Sequence, residues 1–291
     1  MKVVRRIFTA AALVLMASCS GYVDPENTNE NENGGPDSES GPVLSSGYLQ
    51  QMVAMQFTSV GCVNCPTLAS SIKNIQKNMP GTIIPVAFHL NYDVSDPMTL
   101  AENALFYEKV DYVSDGTQGL PMFALNFRKS STHIVSEYAK IQAEIEYQAQ
   151  KYPADCGVAI ETVYTPSTRS VNVKARFKSD VAKPYRYHIF LLEDGIEYMQ
   201  MGVESGSYVH DNVLRRVIGS DARGTRLISG SALEAGKEYV VEKTLELSSD
   251  WKAENMRVLV AMLKEDSSAE WGAYNANVCA LGASVDYMYK E

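Results

Sequence analysis

The strongest constraint on this fold is a change of hydrophobic period at Pro153. Before it, apolar runs and helical patterns alternate. The runs Gln51–Phe57, Thr82–Leu90 and Met122–Phe127 read as short strands. Between them, Leu68, Ile72, Ile75 and Met79 recur at i, i+4, i+7 and i+11, one face of a helix, which Pro66 opens and Pro80-Gly81 ends. A second helix is expected from Met98 to Val110, and a third with Tyr138, Ile141, Ile145, Ala149 and Tyr152 on its buried face. Strands alternating with helices favour a mostly parallel sheet with covered faces. After Pro153 the period falls to two. In VNVKARF, Val171, Val173, Ala175 and Phe177 face one way and Asn172, Lys174 and Arg176 the other. YHIFLLED, KEYVVEKTLEL and RVLVAML add strands parted by Gly, Ser and Asp turns. The expectation is an α/β domain over residues 48–152 followed by an all-β antiparallel sandwich, Ig-like, over 153–291.

The first 18 residues do not belong to that body. A basic start, MKVVRR, an apolar run, IFTAAALVLM, and small residues before Cys19 read as a secretory signal peptide. Cys19 in that place resembles a lipoprotein processing site, although position −3 holds Met16 and the leucine falls one earlier, at Leu15. The alternative is an ordinary cleaved signal with an incidental cysteine. Residues 19–47 then form a lipidated acidic tether. Residues 20–47 hold Asp24, Glu26, Glu30, Glu32, Asp37 and Glu39 with no Lys or Arg, and among Asn, Gly, Ser and Pro they have little to bury. The 26 basic residues, less the three of the leader, stand against 35 acidic ones, so the mature chain carries −12. Without clustered positive charge, nucleic acid is excluded as a partner.

Setting Cys19 aside leaves Cys62, Cys65, Cys156 and Cys279 in an exported chain. Cys62 and Cys65 stand in GCVNCP, after a strand and at the start of a helix. The positive end of that helix favours thiolate, so Cys62 is the candidate attacking sulfur and Cys65 the resolving one. Strand, CxxC, then helix is the setting of a thioredoxin-like redox motif. A purely structural disulfide is the alternative, although so short a loop gives little closure stabilisation. A zinc site would need two more ligands, and neither a second CxxC nor a paired histidine spacing supplies them. Cys156 and Cys279 open and close the β region, either as a structural disulfide or as two buried thiols.

In thioredoxin-like folds a cis-proline lies opposite the cysteines, and in GLPMFALN Pro121 stands at that point, so Leu120–Pro121 is expected to be cis. The layout of leader, acidic tether, GCVNCP, GLP and a β region carrying HDNVLRR (His210–Arg216) resembles the twenty-eight-kilodalton outer-membrane protein family of Bacteroidota. The resemblance implies a two-domain protein at the outer membrane, thioredoxin-like in its first domain. Members are described as adhesins or receptors, so activity stays open. The chain departs from active thioredoxins in having Gly61 before the first cysteine and Val63-Asn64 between the two.

His89, His133, His188 and His210 are scattered in sequence and form no ligand cluster. His89 is expected as a packed residue and not a base, and His210, with Asp211 and Arg215 near it, as a satisfied histidine in a polar turn, with a binding role as the alternative. Neither a hydrolytic triad nor a phosphate-binding loop is present, and no cofactor or metal is implied. Two functions remain. Cys62 and Cys65, with Pro121 shaping the groove, exchange disulfides with exported proteins; or the same fold is a non-catalytic scaffold that binds a surface ligand. Both place the protein in the cell envelope as a lipid-anchored outer-membrane protein, with the membrane face undetermined.

Overall fold

A computed structural model describes residues 47–110, 119–130, 134–204, 207–219, 222–264 and 271–290. The leader, Cys19, nearly all of the acidic segment and His133 lie outside these residues. In chain order come β1 (Met52–Thr58), α1 (Cys65–Asn78), β2 (Ile83–His89), α2 (Ala101–Val110), β3 (Met122–Leu125) and α3 (Tyr138–Lys151). These elements fall where the periodicity puts them. After Pro153 follow β4 (Cys156–Thr165), β5 (Ser170–Ser179), β6 (Tyr185–Glu193), β7 (Ile196–Met199), β8 (Ser207–His210), β9 (Val213–Ile218), β10 (Thr225–Arg226), β11 (Tyr239–Glu246), β12 (Met256–Lys264), β13 (Gly272–Ala280) and β14 (Ser284–Val285).

Strands from both sides of Pro153 join one mixed sheet in the order β13-β12-β6-β9-β2-β1-β3, with β10 on β6. The mostly parallel sheet expected from strand–helix alternation does not form. β1 pairs parallel with β2, and β2 parallel with β9, while β3 runs antiparallel to β1 and the remaining pairs of the sheet are antiparallel. β3 takes the free edge of β1 in the opposite sense to β2. The free edge of β2 is filled from the second half, where Ala87 pairs with Val213 and its N–H donates to the Asn212 carbonyl at 2.8 Å.

Apolar residues at period two and at helical period bury the faces of this sheet. On one side Leu68, Ile72 and Ile75 of α1 meet Ile141 and Ile145 of α3 over β1, β2 and β3. The other side carries Phe106, Tyr107 and Val110 of α2 with Phe57, Phe88 and Phe190. A second sheet, β11-β5-β4-β14, lays Val171, Val173, Ala175 and Phe177 against Ile189, Leu191, Val258 and Val260 of β6 and β12. α3 departs from its expected face. Ala149 is exposed, whereas Glu144 and Gln148 are buried. An i, i+4 contact joins these two side chains, the Gln148 amide donating to Glu144 at 2.8 Å, and Gln148 also accepts from the Asn126 amide at 3.2 Å.

Two asparagines stitch the two halves together, Asn275 through its side chain and Asn126 through its backbone carbonyl. Asn275 on β13 accepts from the Gln51 N–H at 2.9 Å and donates to the carbonyls of Leu49 at 3.1 Å and Cys156 at 2.8 Å. Asn126, just past β3, accepts from the Val53 N–H at 2.9 Å, and its own carbonyl accepts from Ala273 on β13. It sits at φ 56°, a left-handed conformation asparagine tolerates better than most residues. Asn126→Ala strands the buried Val53 N–H and strains the turn, and should cost about 2–3 kcal/mol, read as a lower urea midpoint at unchanged slope.

Candidate functional site

The loop leaving β1 carries the two cysteines into α1. Val60 is buried and its N–H donates to Asp96 at 2.9 Å. At Gly61 a Cβ would stand 2.4 Å from the Tyr92 carbonyl, so glycine is what lets the loop lie against residues 92–94. Cys62 and Cys65 are joined as a disulfide with their Cα atoms 5.4 Å apart. Cys65 is the first residue of α1 and Pro66 follows in its first turn. No acidic side chain occupies that turn, so the partial positive charge of the helix start is left uncompensated there. The Leu120–Pro121 peptide is cis. Pro121 is buried one residue before Met122, which pairs with Phe57, and so lies toward the end of β1 from which the cysteine loop departs.

The disulfide is covered. Cys62 is only 3% exposed and Cys65 1%, while Val63 between them is 57% exposed. The cover is the segment 200–202, which follows β7 on a hairpin formed by β7 and β8. The buried Gln200 amide donates to the Cys62 carbonyl at 2.9 Å and to Ser59 at 3.2 Å, sharing its two hydrogens also with Val60 at 3.4 Å. The Met201 N–H donates to the Val60 carbonyl at 2.9 Å. Gly202, at φ +85°, presses so close that a Cβ would stand 2.2 Å from the Val63 carbonyl. Nothing in the sequence marked Gln200, Met201 and Gly202. They lie about 140 positions from the loop in no periodic pattern, and only the pairing of β9 with β2 carries them there.

Behind the loop is a cavity of about 530 Å³ lined by Cys65, Lys73, His89, Gln200, Tyr208 and His210 among others. His89 Nδ1 meets Asp96 Oδ2 at 2.8 Å, both side chains almost wholly buried. Burial works to raise the Asp96 carboxyl, but the His89 hydrogen bond and its charge, with the N–H groups of Met98 and Val60, outweigh it and leave the group below its ordinary value. His89 is thus a packed residue held by a carboxylate, as expected. His210 differs from its expected satisfied state, because its buried Nε2 has no hydrogen-bond partner among the described residues. Burial, then the neighbouring His89 at 5.3 Å between ring centroids, pushes His210 down to about 4. Cys156 and Cys279 are free buried thiols, not the disulfide considered above, and burial raises both. Among the described residues, no group of three or more His, Cys, Asp or Glu side chains is placed to hold a metal ion.

The sign of the His210 shift sets a pH dependence. Below about 6.5 the unfolded chain binds a proton there that the folded chain refuses until about 4. The stability carried by neutral His210 is therefore full above 6.5 and lost progressively as pH falls through that window. Urea midpoints should drop between pH 7 and pH 4.5, and His210→Gln should shallow that drop.

No curated protein matches this chain. Among solved structures it is similar to HBP35 of Porphyromonas gingivalis, with TM-score 0.65 and 18% identity over 80% of this chain and 76% of that one. It is also similar to protein AGR_C_4864 from Agrobacterium tumefaciens, with TM-score 0.52 and 14% identity over 82% of this chain and 97% of that one. At such identities these are likenesses of fold. The family described as Outer membrane protein Omp28 matches residues 111–284, which is more than half of the chain. On that match, the protein belongs to the Omp28 family of outer-membrane proteins.

Proposed function

We propose that this protein is an outer-membrane lipoprotein, anchored through Cys19 and an acidic tether, whose thioredoxin-like body serves as a binding scaffold. The observation that carries this reading is the cover over the cysteines. Exchange needs an attacking sulfur that a partner can reach, and Cys62 lies beneath Gln200 and Met201. A second support is the hairpin itself, which exposes Tyr198, Met199, Met201 and Val209, with Val63 beside its turn. Apolar side chains gathered on one projecting element mark an interaction surface. The partner class is an exported protein or a surface ligand met at the cell envelope.

A second reading, disulfide exchange by Cys62 and Cys65 with Pro121 shaping the groove, is favoured by the helix start beneath Cys65, by Pro66 after it, and by the position of Pro121. The thioredoxin-like description rests on the same features: strand, CxxC and helix, a cis-proline entering β3, and helices α1 and α3 on one face of β1, β2 and β3 with α2 on the other. The β region supports a sandwich through the packing of β4 and β5 on β6 and β12.

Expression of Cys65→Ser in cells separates the two. The scaffold reading expects no protein captured on Cys62 as a mixed disulfide; a captured exported protein overturns it and establishes exchange. Separately, Cys19→Ala should move the protein from the membrane to the soluble fraction, and retention at the membrane would remove the lipid anchor from the proposal.

A further inference from the structure

The β7–β8 hairpin has unusual attachments. Among the described residues its two strands pair with each other and not with either larger sheet. Most of their side chains are exposed. What holds its turn down is the set of contacts to the cysteine loop: the Gln200 amide on Cys62 and Ser59, the Met201 N–H on Val60, and Gly202 against Val63. Every one of these partners is a carbonyl of residues 59–63, in or beside the loop that the disulfide closes.

Those carbonyls converge on the hairpin only while the loop keeps its shape. The disulfide keeps it, tying Cys62 to Cys65 at the first residue of a 14-residue helix. Two thiols, unlike two bonded sulfurs, must stand at van der Waals separation. Both sulfurs belong to buried residues, Cys65 on the cavity it shares with Gln200, so separating them shifts the carbonyls of the loop on which the hairpin's turn rests. Gln200 and Met201 hydrogen-bond to those carbonyls.

From this geometry we propose that the Cys62–Cys65 disulfide and the turn of the β7–β8 hairpin form a redox-responsive clasp, in which the oxidised pair holds that turn docked and reduction releases it. The reaction is a two-electron exchange with an external dithiol. Its first thiolate attacks one cysteine sulfur and breaks the S–S bond; its second sulfur displaces the mixed disulfide. The dithiol leaves as a disulfide, and Cys62 and Cys65 each end with one proton. Linkage makes the effect reciprocal: docking that depends on the oxidised pair protects that pair from reduction to the same degree. Release frees the apolar residues of the hairpin from a fixed pose, so the clasp goes beyond a scaffold with a passive staple and ties its exposed surface to the redox state of the envelope.

The test uses the mature full-length chain and dithiothreitol. Amide exchange at Met201 is followed before and after reduction, with β12 as internal reference. Thiol labelling follows the rate at which the pair is reduced in the wild type, in Gln200→Ala, which removes the clasping amide, and in Gly202→Val, which pushes the turn off Val63 by bulk. Reduction should speed exchange at Met201 about tenfold or more and leave β12 unchanged, and both variants should be reduced about tenfold faster than wild type. Unchanged exchange at Met201, or variants reduced at the wild-type rate, overturn the clasp. A partner trapped by Cys65→Ser would sink the scaffold reading and leave the clasp standing, so the two failures are distinct.

Discussion

A strand edge inside a protein must find hydrogen-bond partners, and β2 presents such an edge. Its partner is β9, from beyond Pro153, reached through Ala87, Asn212 and Val213. Most of the architecture follows from this junction. It fuses strands of the two halves into one sheet, and it fixes where the chain just before β9 must lie. That chain is the β7–β8 hairpin, so closing the β2 edge also sets Gln200 and Met201 over the cysteines and His210 against His89.

The element types were largely legible in the sequence because each is a local matter. Leu68, Ile72 and Ile75 face the core because a helix turns every 3.6 residues, and Val171 to Phe177 because a strand alternates. The buried face of α3 is less legible, because Glu144 and Gln148 are buried as a mutually bonded pair with Asn126, and polar residues of that kind leave no trace in a hydrophobic pattern. Sheet order was hidden for another reason. Strand–helix alternation suggested parallel neighbours, yet the neighbour of β2 on its open side comes from over 120 positions later in the chain.

The site divides the same way. The disulfide of GCVNCP and its place at a helix start could be read from spacing and punctuation. Asp96, which organises His89 and Val60, and the segment over Cys62 could not, since both act through contacts formed only after folding. The difference matters for chemistry. A helix start favours a thiolate, but a thiolate reacts only with what can approach it, and both cysteines are buried.

The asparagine stitches bear on how this protein comes into being. Gln51, at the entrance to β1, donates its N–H to a side chain 224 positions further on, and Asn126 waits for Ala273. Synthesis proceeds from the N-terminus, so the first strands emerge long before their last partners exist. Until residues 273–275 are available, the bonds that Gln51 and Asn126 make to β13 cannot form.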